Sequence, residues 1–580
     1  MNFLLNVEKD FQSKKIEIGK ITKISTKEKN LDVIKQVNED NIIFIIKPNK
    51  DIFNVVVEIH LMLKTKRGDV IDNLIFIPKE NYDIIEYMTT NNMIAEFSID
   101  NFNIDLIPID IDLFSLENEN DIKDIYIDKN LSCISELANS VVKYETCFGK
   151  IKYKYLKGDL AKTFCDLVEE KEKENDLRIT DDEILGMIVL DRSVDFITLM
   201  TTNYTYEGQI DEKIGINLGR IQIKDSVIKG NANQPNNNDK KKVADKLISY
   251  GLTSNYNKIY CSIRCMKLLD ACKYLNAIRS YYENATKKYS KNSLNEELLK
   301  MADYFRKFVK IELSQNENLI NYIIDLNPSN NIEIRNYSQK EQILLSGELP
   351  DNLYSYYDEY LCHQKDLLTL IKLMIIESLT QNGIQGYKNF KREILNIYGF
   401  QKIFLFRDLE TLGWLSEKQL LKDLKNLGNL SYSQIFNKLE LVSEDNNSLD
   451  CSYVLDGCCP IGVKLIEKAV YGKWNTIIDV LNKMPGALEF PEKENVIGNP
   501  IKDKNLMFII FVGGVTYTEI EAIRFLNRKF NEENLKGKRK KTQFIILTTS
   551  ILNSKKILQN LGKDVSNFYS MKMFNEQINK

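Results

Sequence analysis

The sequence predicts an α/β fold into which a large all-α region is inserted. Three observations support this prediction. Residues 1–150 alternate apolar strands with helices, residues 259–326 have a helical apolar period with almost no glycine or proline, and buried strands return at 506–512 and 542–548. An alternation of strands and helices is typical of a parallel sheet covered by helices. The economical topology is one sheet domain that the helical region splits in sequence.

The chain of 580 residues is expected to form about three or four domains. A single core stops growing at roughly 250–300 residues, so one domain cannot accommodate this length. We place an N-terminal α/β domain at 1–150, a split α/β domain at 151–258 and 456–580, and an inserted helical domain at 259–455.

Within residues 1–150 the apolar pattern predicts three strands and two helices. The strands are expected at 41–47, 73–77 and 104–107, and the helices at 51–64 and 82–90. Pro108 follows the third strand, and residues 113–128 are predicted to be a polar, partly helical connection. This rhythm is that of a parallel sheet.

The stretch 184–211 contains the strand that is expected to lie at the centre of the split domain. Residues 185–190 are apolar at nearly every position, as in a strand covered on both faces. The strand ends in Asp191, Arg192 and Asp195. Ligand sites in open α/β sheets lie at the carboxyl ends of strands, and two carboxylates suit magnesium. Because Arg192 competes for both carboxylates, we favour a structural turn in which Arg192 pairs with Asp191, Asp195 or Glu207.

A second candidate ligand site is the strand–Gly–Gly–helix segment at 506–530. It resembles a nucleotide-binding turn in outline, but the chain contains neither G-x-x-x-x-G-K-[ST] nor G-x-G-x-x-G. We therefore interpret Gly513 and Gly514 as residues of a tight turn that lets helix and strand pack closely.

Composition and charge exclude several classes of function. The net charge is −3 with acidic and basic residues evenly spread, which argues against a nucleic-acid binder. No apolar run reaches the roughly 18 residues of a transmembrane helix, and the N-terminus does not resemble a signal peptide. Ten scattered cysteines without a C-x-x-C pair are expected to be reduced core residues, and no metal site is predicted.

Aromatic residues on one segment of the helical region admit two interpretations. Tyr304, Phe305 and Phe308 fall in a helix that carries many charges. Their spacing fits either an ordinary core or a face that binds a partner helix, and periodicity alone does not separate the two.

Several of these motifs resemble those of a known family, the SM proteins, which are the Sec/Munc-type partners of SNAREs. The first is IVLDRSVDFITLMTTNYTYEGQID at 188–211, and the others are FVGGVTYTEIEAIRFL at 511–526 and FIILTTSIL at 544–552. Stretches at 338–347, 375–399 and 453–465 resemble the branch of the family that acts in vacuolar protein sorting. The similarity runs from about residue 40 to the end of the chain.

This resemblance implies a fold and a function. The fold would be an arch of three domains, with residues 259–352 forming a helical hairpin and residues 353–455 the second half of the helical domain. The protein would template or proofread SNARE assembly as a subunit of the class C tethering complexes HOPS and CORVET. It would be cytoplasmic and peripheral on endosomal and lysosomal or vacuolar membranes. Templating SNARE assembly requires a shaped groove, with no catalytic residue, metal or cofactor.

The resemblance also assigns candidate contact residues. Tyr304, Phe305 and Phe308 match the tip of the hairpin and would contact SNAREs. Lys391, Phe400 and Ile403 match the surface that binds the β-propeller subunit, vacuolar protein sorting-associated protein 16. Phe400 stands where the family has tyrosine, which keeps the aromatic body without the hydroxyl. The alternatives are a nucleotide-binding α/β enzyme and a tether scaffold that does not handle SNAREs.

Overall fold

The computed structural model describes residues between Ile42 and Gly562, with gaps. The described ranges are 42–46, 48–67, 71–77, 80, 82–102, 106–118, 120–174, 183–229, 246–254, 257–289, 309–326, 331–418, 432–442, 450–491, 505–536 and 541–562. They belong to two compact units, Met1–Asp105 and Leu106–Lys580.

The first unit contains a parallel sheet of three strands in the order β1-β2-β3. Its elements are β1 (Ile43–Ile46), α1 (Lys50–Arg67), β2 (Asp72–Phe76), α2 (Tyr82–Thr90) and β3 (Phe97–Asn101). Phe44, Leu74 and Phe97 on the strands pack with Phe53 and Ile59 of α1 in one core. The βαβα rhythm predicted for this part of the chain is confirmed, but the third strand is Phe97–Asn101, and the strand expected at 104–107 does not belong to this sheet.

The second unit is built on a sheet of seven strands in the order β10-β6-β7-β11-β13-β5-β4. These strands are β4 (Ile107–Asp110), β5 (Leu113–Ser115), β6 (Lys150–Lys157), β7 (Glu183–Asp191), β10 (Leu488–Glu489), β11 (Asn505–Val512) and β13 (Thr542–Thr548). Two small sheets add β8 (Arg220–Lys224) with β9 (Leu247–Gly251), and β12 (Val515–Thr516) with β14 (Ile551–Leu552). The large sheet thus joins strands from both sides of the helical region.

Strand β7 lies in the interior of this sheet, as predicted, with strands on both sides. It pairs in parallel with β6 on one side and with β11 on the other. Met187 and Val189 face the core beneath one side of the sheet, and Ile188 and Leu190 face the core on the other side. Because both faces are covered, the strand is apolar throughout instead of alternating.

Helices cover both faces of the large sheet. On one face lie α3 (Ser132–Phe148) and α4 (Asp159–Glu174), whose apolar sides share a core with β7 and β11. A short π-helix at Ile122–Ile127 precedes α3. On the other face lie α17 (Ile461–Val470) and α19 (Tyr517–Lys536).

The second unit contains fourteen further helices in the described ranges, most of them between β7 and β11 in sequence. They are α5 (Ile197–Met200), α6 (Tyr206–Lys213), α7 (Asp225–Lys229), α8 (Lys258–Ile263), α9 (Leu268–Tyr289), α10 (Lys310–Leu326), α11 (Asn331–Leu345), α12 (Leu353–Cys362), α13 (Leu367–Gln381), α14 (Tyr387–Tyr398), α15 (Ile403–Thr411), α16 (Tyr432–Leu439), α18 (Ile478–Leu481) and α20 (Ser554–Asn560). Their buried side chains continue the core on the α17 and α19 face of the sheet. The helical insertion is therefore packed onto the split sheet through one contiguous core.

The first domain boundary lies earlier than predicted. The first unit ends at Asp105, and residues 107–115, expected to belong to it, form β4 and β5 of the large sheet. Pro108 lies inside β4. This position is tolerated because β4 is an edge strand, where the backbone donor that proline lacks is not required. The segment 113–128 thus begins as a strand that pairs in parallel with β13. The other boundaries stay predictions.

The structure also bears on membrane-spanning helices and on the burial of the cysteines, and the cysteines agree only in part with the prediction. No helix in the described ranges is long and apolar enough to span a membrane. All ten cysteines are free, but Cys147 and Cys362 are exposed and do not belong to the core.

Candidate functional site

Asp191, the first charged residue after the apolar run of β7, is buried and has three hydrogen-bond donors. Its carboxylate accepts from the Tyr126 hydroxyl at 2.6 Å and from the backbone amides of Ser193 and Leu160 at 2.9 and 3.0 Å. Gly158 packs so closely that a Cβ there would lie 2.1 Å from the Asp191 Cβ. The carboxylate therefore caps the turn that follows β7 and has little room for a ligand.

Arg192 pairs across the split in the sequence, and this partner was not predicted. Its guanidinium donates to both carboxylate oxygens of Glu519, at 2.6 and 2.8 Å, and to the Asp195 carbonyl. The Asp195 carboxylate is farther away, at 4.0 Å. Both members of the Arg192–Glu519 pair are at most 1% exposed. Burial alone lowers the pKa of Arg192, but the charge and hydrogen bonds of Glu519 outweigh it and raise the pKa above its usual value.

Asp195 joins the turn to the first helix after the helical insertion. Its carboxylate accepts from the backbone amide and hydroxyl of Thr198 at 3.0 and 2.6 Å, and from the Gly462 amide of α17 at 3.3 Å. Asp191, Arg192 and Asp195 are thus brought together, and their partners come from α19, α17 and the π-helix. This arrangement supports the interpretation as a structural turn.

A second buried ion cluster lies further along α19. Arg524 donates to Glu207 at 2.8 Å and to both carboxylate oxygens of Asp112 at 2.8 and 2.9 Å. Burial by itself raises the pKa of Asp112, but Arg524 outweighs it and holds that pKa at about 2. Glu207 therefore pairs with Arg524 and not with Arg192. Sequence reasoning missed Glu519 and Arg524, because Arg192 and Glu207, with which they pair, lie more than 300 positions away in the sequence.

Several buried glutamates in the same unit have a raised pKa, among them Glu341, Glu377 and Glu521. Burial raises the pKa of Glu341 and of Glu377 to about 7, and burial together with the charge of Glu207 raises that of Glu521 to about 8. Glu341 of α11 accepts from the Thr202 backbone amide at 2.5 Å and from the Thr202 hydroxyl at 2.8 Å. These contacts join the helical region to the loop after α5.

The glycine pair after β11 is explained by packing. Gly513 and Gly514 have φ angles of +93° and +98°, and a Cβ on Gly514 would lie 2.5 Å from Leu552. The amide groups at the start of α19 are capped internally, since Thr516 and Glu519 exchange hydrogen bonds of 3.0 and 3.3 Å. This capping box occupies the Thr516 and Glu519 amides, which are therefore not free to hold a phosphate. Among the described residues, no group of three or more His, Cys, Asp or Glu side chains is placed to hold a metal ion.

The predicted SNARE contacts Tyr304, Phe305 and Phe308 lie outside the described residues. The helices on either side of them are described, and Arg279 of α9 forms an ion pair with Glu317 of α10. On α9, Tyr274 and Tyr281 are 39% and 71% exposed. They are seven residues apart, with the exposed Ala277 between them. This spacing places the three side chains on one face of the helix at heptad positions.

The predicted tether-binding residues lie on neighbouring elements of the second unit. Lys391 of α14 pairs with Glu410 of α15 at 2.6 Å. Phe400, in the short connection between these helices, is 70% exposed, and Ile403 is half-buried at the start of α15. Ile397 of α14 is also exposed. We call Ile397, Phe400 and Ile403 the α14–α15 patch.

Comparison with known proteins places the chain in a family. The model of the Sec1 family matches residues 4–560. The vacuolar protein-sorting-associated protein 33 homolog of Arabidopsis thaliana is 24% identical over 498 residues, which cover 82% of this chain and 78% of that protein. Vacuolar protein sorting-associated protein 33A of Rattus norvegicus is 24% identical over 548 residues, covering 90% and 86%. The family and the branch predicted from the sequence motifs are thereby confirmed.

Solved structures confirm the fold class. The Unc18–syntaxin 1 complex from Monosiga brevicollis matches with a TM-score of 0.54 at 12% identity, covering 91% of this chain and 89% of that chain. The SM protein Vps45 in complex with the Qa SNARE Tlg2 matches with a TM-score of 0.53 at 14% identity, covering 93% and 90%. At these identities the likeness concerns the fold alone. With the family model matching nearly the whole sequence, this chain belongs to the Sec1 family.

Proposed function

We propose that this chain is a SNARE-binding SM protein that templates and proofreads SNARE assembly for membrane fusion. The observation that carries the proposal is the match to the Sec1 family over residues 4–560, with relatives named for vacuolar protein sorting. We further propose that it acts in the class C tethering complexes HOPS and CORVET, on endosomal and lysosomal or vacuolar membranes. Neither role requires a catalytic residue.

The physical basis of templating is the cost of ordering two helices. SNARE motifs are heptad-repeat segments that must form helices and find their register at the same time. A surface that holds two such helices side by side removes part of that entropic cost. The exposed stripe of Tyr274, Ala277 and Tyr281 on α9 has the spacing that a heptad helix contacts. We therefore add Tyr274 and Tyr281 to the SNARE contacts proposed at Tyr304, Phe305 and Phe308.

Docking to the tethering complex is proposed for the α14–α15 patch together with Lys391. Exposed aromatic and aliphatic side chains are typical anchors of protein interfaces. The partner proposed for this surface is vacuolar protein sorting-associated protein 16. Lys391 is already held by Glu410, so its contribution would be to fix the positions of α14 and α15.

The test is a reconstituted fusion assay with the tethering subunits and SNARE-bearing vesicles. We expect the chain to bind cytoplasmic SNARE motifs and the propeller subunit at micromolar concentration and to accelerate fusion. Replacing both Phe305 and Phe308 by Asp should slow fusion while the tethering complex stays intact. Unchanged fusion in that variant would favour a tether scaffold that does not handle SNAREs. Absence of binding to either partner would contradict the proposal.

A further inference from the structure

A cavity of about 770 Å³ lies within the second unit, away from the sites described above. Its walls come from α6 and the loop before it, from the starts of α9, α13 and α20, and from α11 and α12. Asp191, Arg192 and Asp195 do not line it, and neither does the α14–α15 patch. Cavities of this size with aromatic walls and a few polar groups are typical ligand sites.

Most of the charges that line the cavity are already paired within the chain. Each lining carboxylate accepts from a lysine or, in one case, from a threonine of the described residues. Three of the lining lysines, Lys267, Lys273 and Lys372, take part in these pairs. The carboxylates are those of Glu212, Asp270, Glu333, Asp366 and Asp456.

Two lining lysines, Lys213 and Lys555, remain exposed and form no ion pair with any described residue. Lys213 ends α6, and Lys555 lies in the first turn of α20. These two helix ends are joined, because the Asn553 side chain donates to the Asp211 carboxylate at 2.7 Å. The cavity therefore has one basic end, which attracts an anionic group of a ligand.

The interior of the cavity contains an unsatisfied hydrogen-bond donor among tyrosine rings. Tyr356 and Tyr360 of α12 pack with their ring centroids 5.8 Å apart. The hydroxyl of Tyr337 on α11 is shielded from solvent and has no partner among the described residues. Burial, with the charge of Glu341, raises the pKa of Tyr337 well above its usual value, so the hydroxyl stays a donor. A ligand oxygen that accepted from it would remove the cost of an unpaired buried group.

Apolar surface continues from the cavity to the outside of the molecule. Leu269 of α9 and Ile334 of α11 line the mouth and are 75% and 42% exposed. A compact small anion would leave these side chains in water, whereas a peptide that crosses the mouth covers them. Leu269 lies about 140° around the helix axis from Tyr274, so the mouth is on a different face of α9 from the tyrosine stripe.

We propose that this cavity binds a short acidic peptide segment of a partner protein. A carboxylate of the segment pairs with Lys213 and Lys555, and a backbone or side-chain oxygen accepts from the Tyr337 hydroxyl. An aromatic or aliphatic side chain of the segment contacts the tyrosine rings, and a second covers Leu269 and Ile334 at the mouth. Charge complementarity favours an acidic segment over a basic one. The site is separate from the surfaces proposed for SNAREs and for the tethering subunit, and it does not depend on those roles.

The test is a selection from a display library of random short peptides with the full chain as bait. Peptides that combine Asp or Glu with aromatic or aliphatic residues should be enriched. A fluorescein-labelled consensus peptide is then titrated and its anisotropy measured. Lys213→Glu/Lys555→Glu should bind it at least tenfold more weakly. The matched control, Lys483→Glu/Lys536→Glu, makes the same charge change at exposed lysines outside the cavity and should bind like the parent.

Tyr337→Phe separates binding from a structural role. The variant keeps the ring and removes a hydroxyl that has no partner, so its unfolding temperature should not fall. Its affinity for the peptide should fall several-fold. Equal affinity of Tyr337→Phe and the parent would overturn the hydroxyl contact.

Three results would overturn the peptide site. One is a selection without enrichment of acidic peptides, and another is equal affinity of the parent and Lys213→Glu/Lys555→Glu. The third is binding of a small aromatic anion, anilinonaphthalene sulfonate, that depends on the same two lysines while no peptide is selected. None of these results bears on binding to SNAREs or to the tethering subunit, because the cavity shares no residue with those surfaces.

Discussion

Two regions of the second unit use their side chains in opposite ways. At the end of β7, charged residues are buried, and Arg192, Glu519 and Asp195 are each at most 2% exposed. At the α14–α15 patch, two of the three apolar residues are exposed, with Phe400 at 70%. In the first region the charges contact one another and the backbone, and in the second the aromatic ring extends away from the core.

The comparison shows that buried charges in this fold have a structural role, whereas exposed apolar side chains are the better candidates for binding. Charges at the carboxyl end of a central strand suggest an active site, but here they fasten three segments that lie far apart in sequence. Because buried ion pairs are costly to leave unsatisfied, such a cluster specifies which segments meet. Exposed apolar side chains on helices suggest nothing when read singly, yet grouped on one surface they support the docking site that we propose.

The largest effect is expected when the buried ion pair is broken. Arg192→Met leaves the Glu519 carboxylate buried without its partner, which should lower the free energy of unfolding by about 3–5 kcal/mol. Urea denaturation followed by circular dichroism measures this loss. The double variant Arg192→Met/Glu519→Leu should recover most of it, because no charge is then left unpaired. An Arg192→Met variant as stable as the parent would show that the Arg192–Glu519 pair does not stabilise the split sheet.

A smaller effect is expected from pH. Glu341, Glu377 and Glu521 keep their protons in the folded protein but lose them in the unfolded chain above about pH 4.5. The folded state then binds more protons, so the free energy of unfolding should fall as pH rises from about 5 to about 8. The rise of the Glu341 pKa from 4.5 to about 7 corresponds to roughly 3 kcal/mol.

Glu341→Gln isolates one of these groups. The amide is neutral at every pH, so the variant should lose less stability than the parent between pH 5 and pH 7. Urea titrations at several pH values across this range give the two slopes. Parallel slopes would mean that Glu341 is not protonated in the folded protein.

Asp195→Ala is expected to cost about 2 kcal/mol. The substitution removes the acceptor of the Thr198 and Gly462 amides, and both residues are buried. Asp195→Asn, which keeps one acceptor oxygen, should cost less. Thermal unfolding of the two variants ranks them. A fully stable Asp195→Ala chain that has lost a ligand would restore the interpretation of this turn as a binding site.

The smallest effect on stability is expected at the α14–α15 patch. Phe400→Asp should change the free energy of unfolding by no more than about 0.5 kcal/mol, because the ring is mostly exposed. The variant should nevertheless lose binding to the tethering subunit in a pull-down. Leu535→Asp, at a residue that is 66% exposed on α19, is the matched control and should retain binding. Equal binding by both variants would remove Phe400 from the interface.

Much of the fold could be predicted from the pattern of apolar residues. The strand at residues 185–190, the strands at 506–512 and 542–548, and the helical insertion are all found in the structure. Parallel strands covered on both faces leave long apolar runs, and these runs are visible in a single sequence. Residues 107–115 differ from the prediction because β4 and β5 are short strands with a weak apolar pattern, and Pro108 interrupts it.

The partners of the charged residues could not be predicted in the same way. Arg192 and Glu519 are 327 positions apart, and only the pairing of β7 with β11 brings them together. Local spacing favours nearby carboxylates such as Asp191 and Asp195, which are occupied by backbone amides. Exposure of Phe400 was equally invisible, since a helix pattern does not show which apolar residues stay outside the core.

We propose that helical surfaces of this chain bind SNARE motifs without help from a chemical site. The most direct measurement is a calorimetric titration of a SNARE motif into the full chain and into Tyr274→Asp/Tyr281→Asp. We predict a micromolar Kd for the parent and at least a tenfold weaker Kd for the variant, with both unfolding at the same temperature. No heat of binding to the parent chain, or equal affinity for both, would contradict the claim.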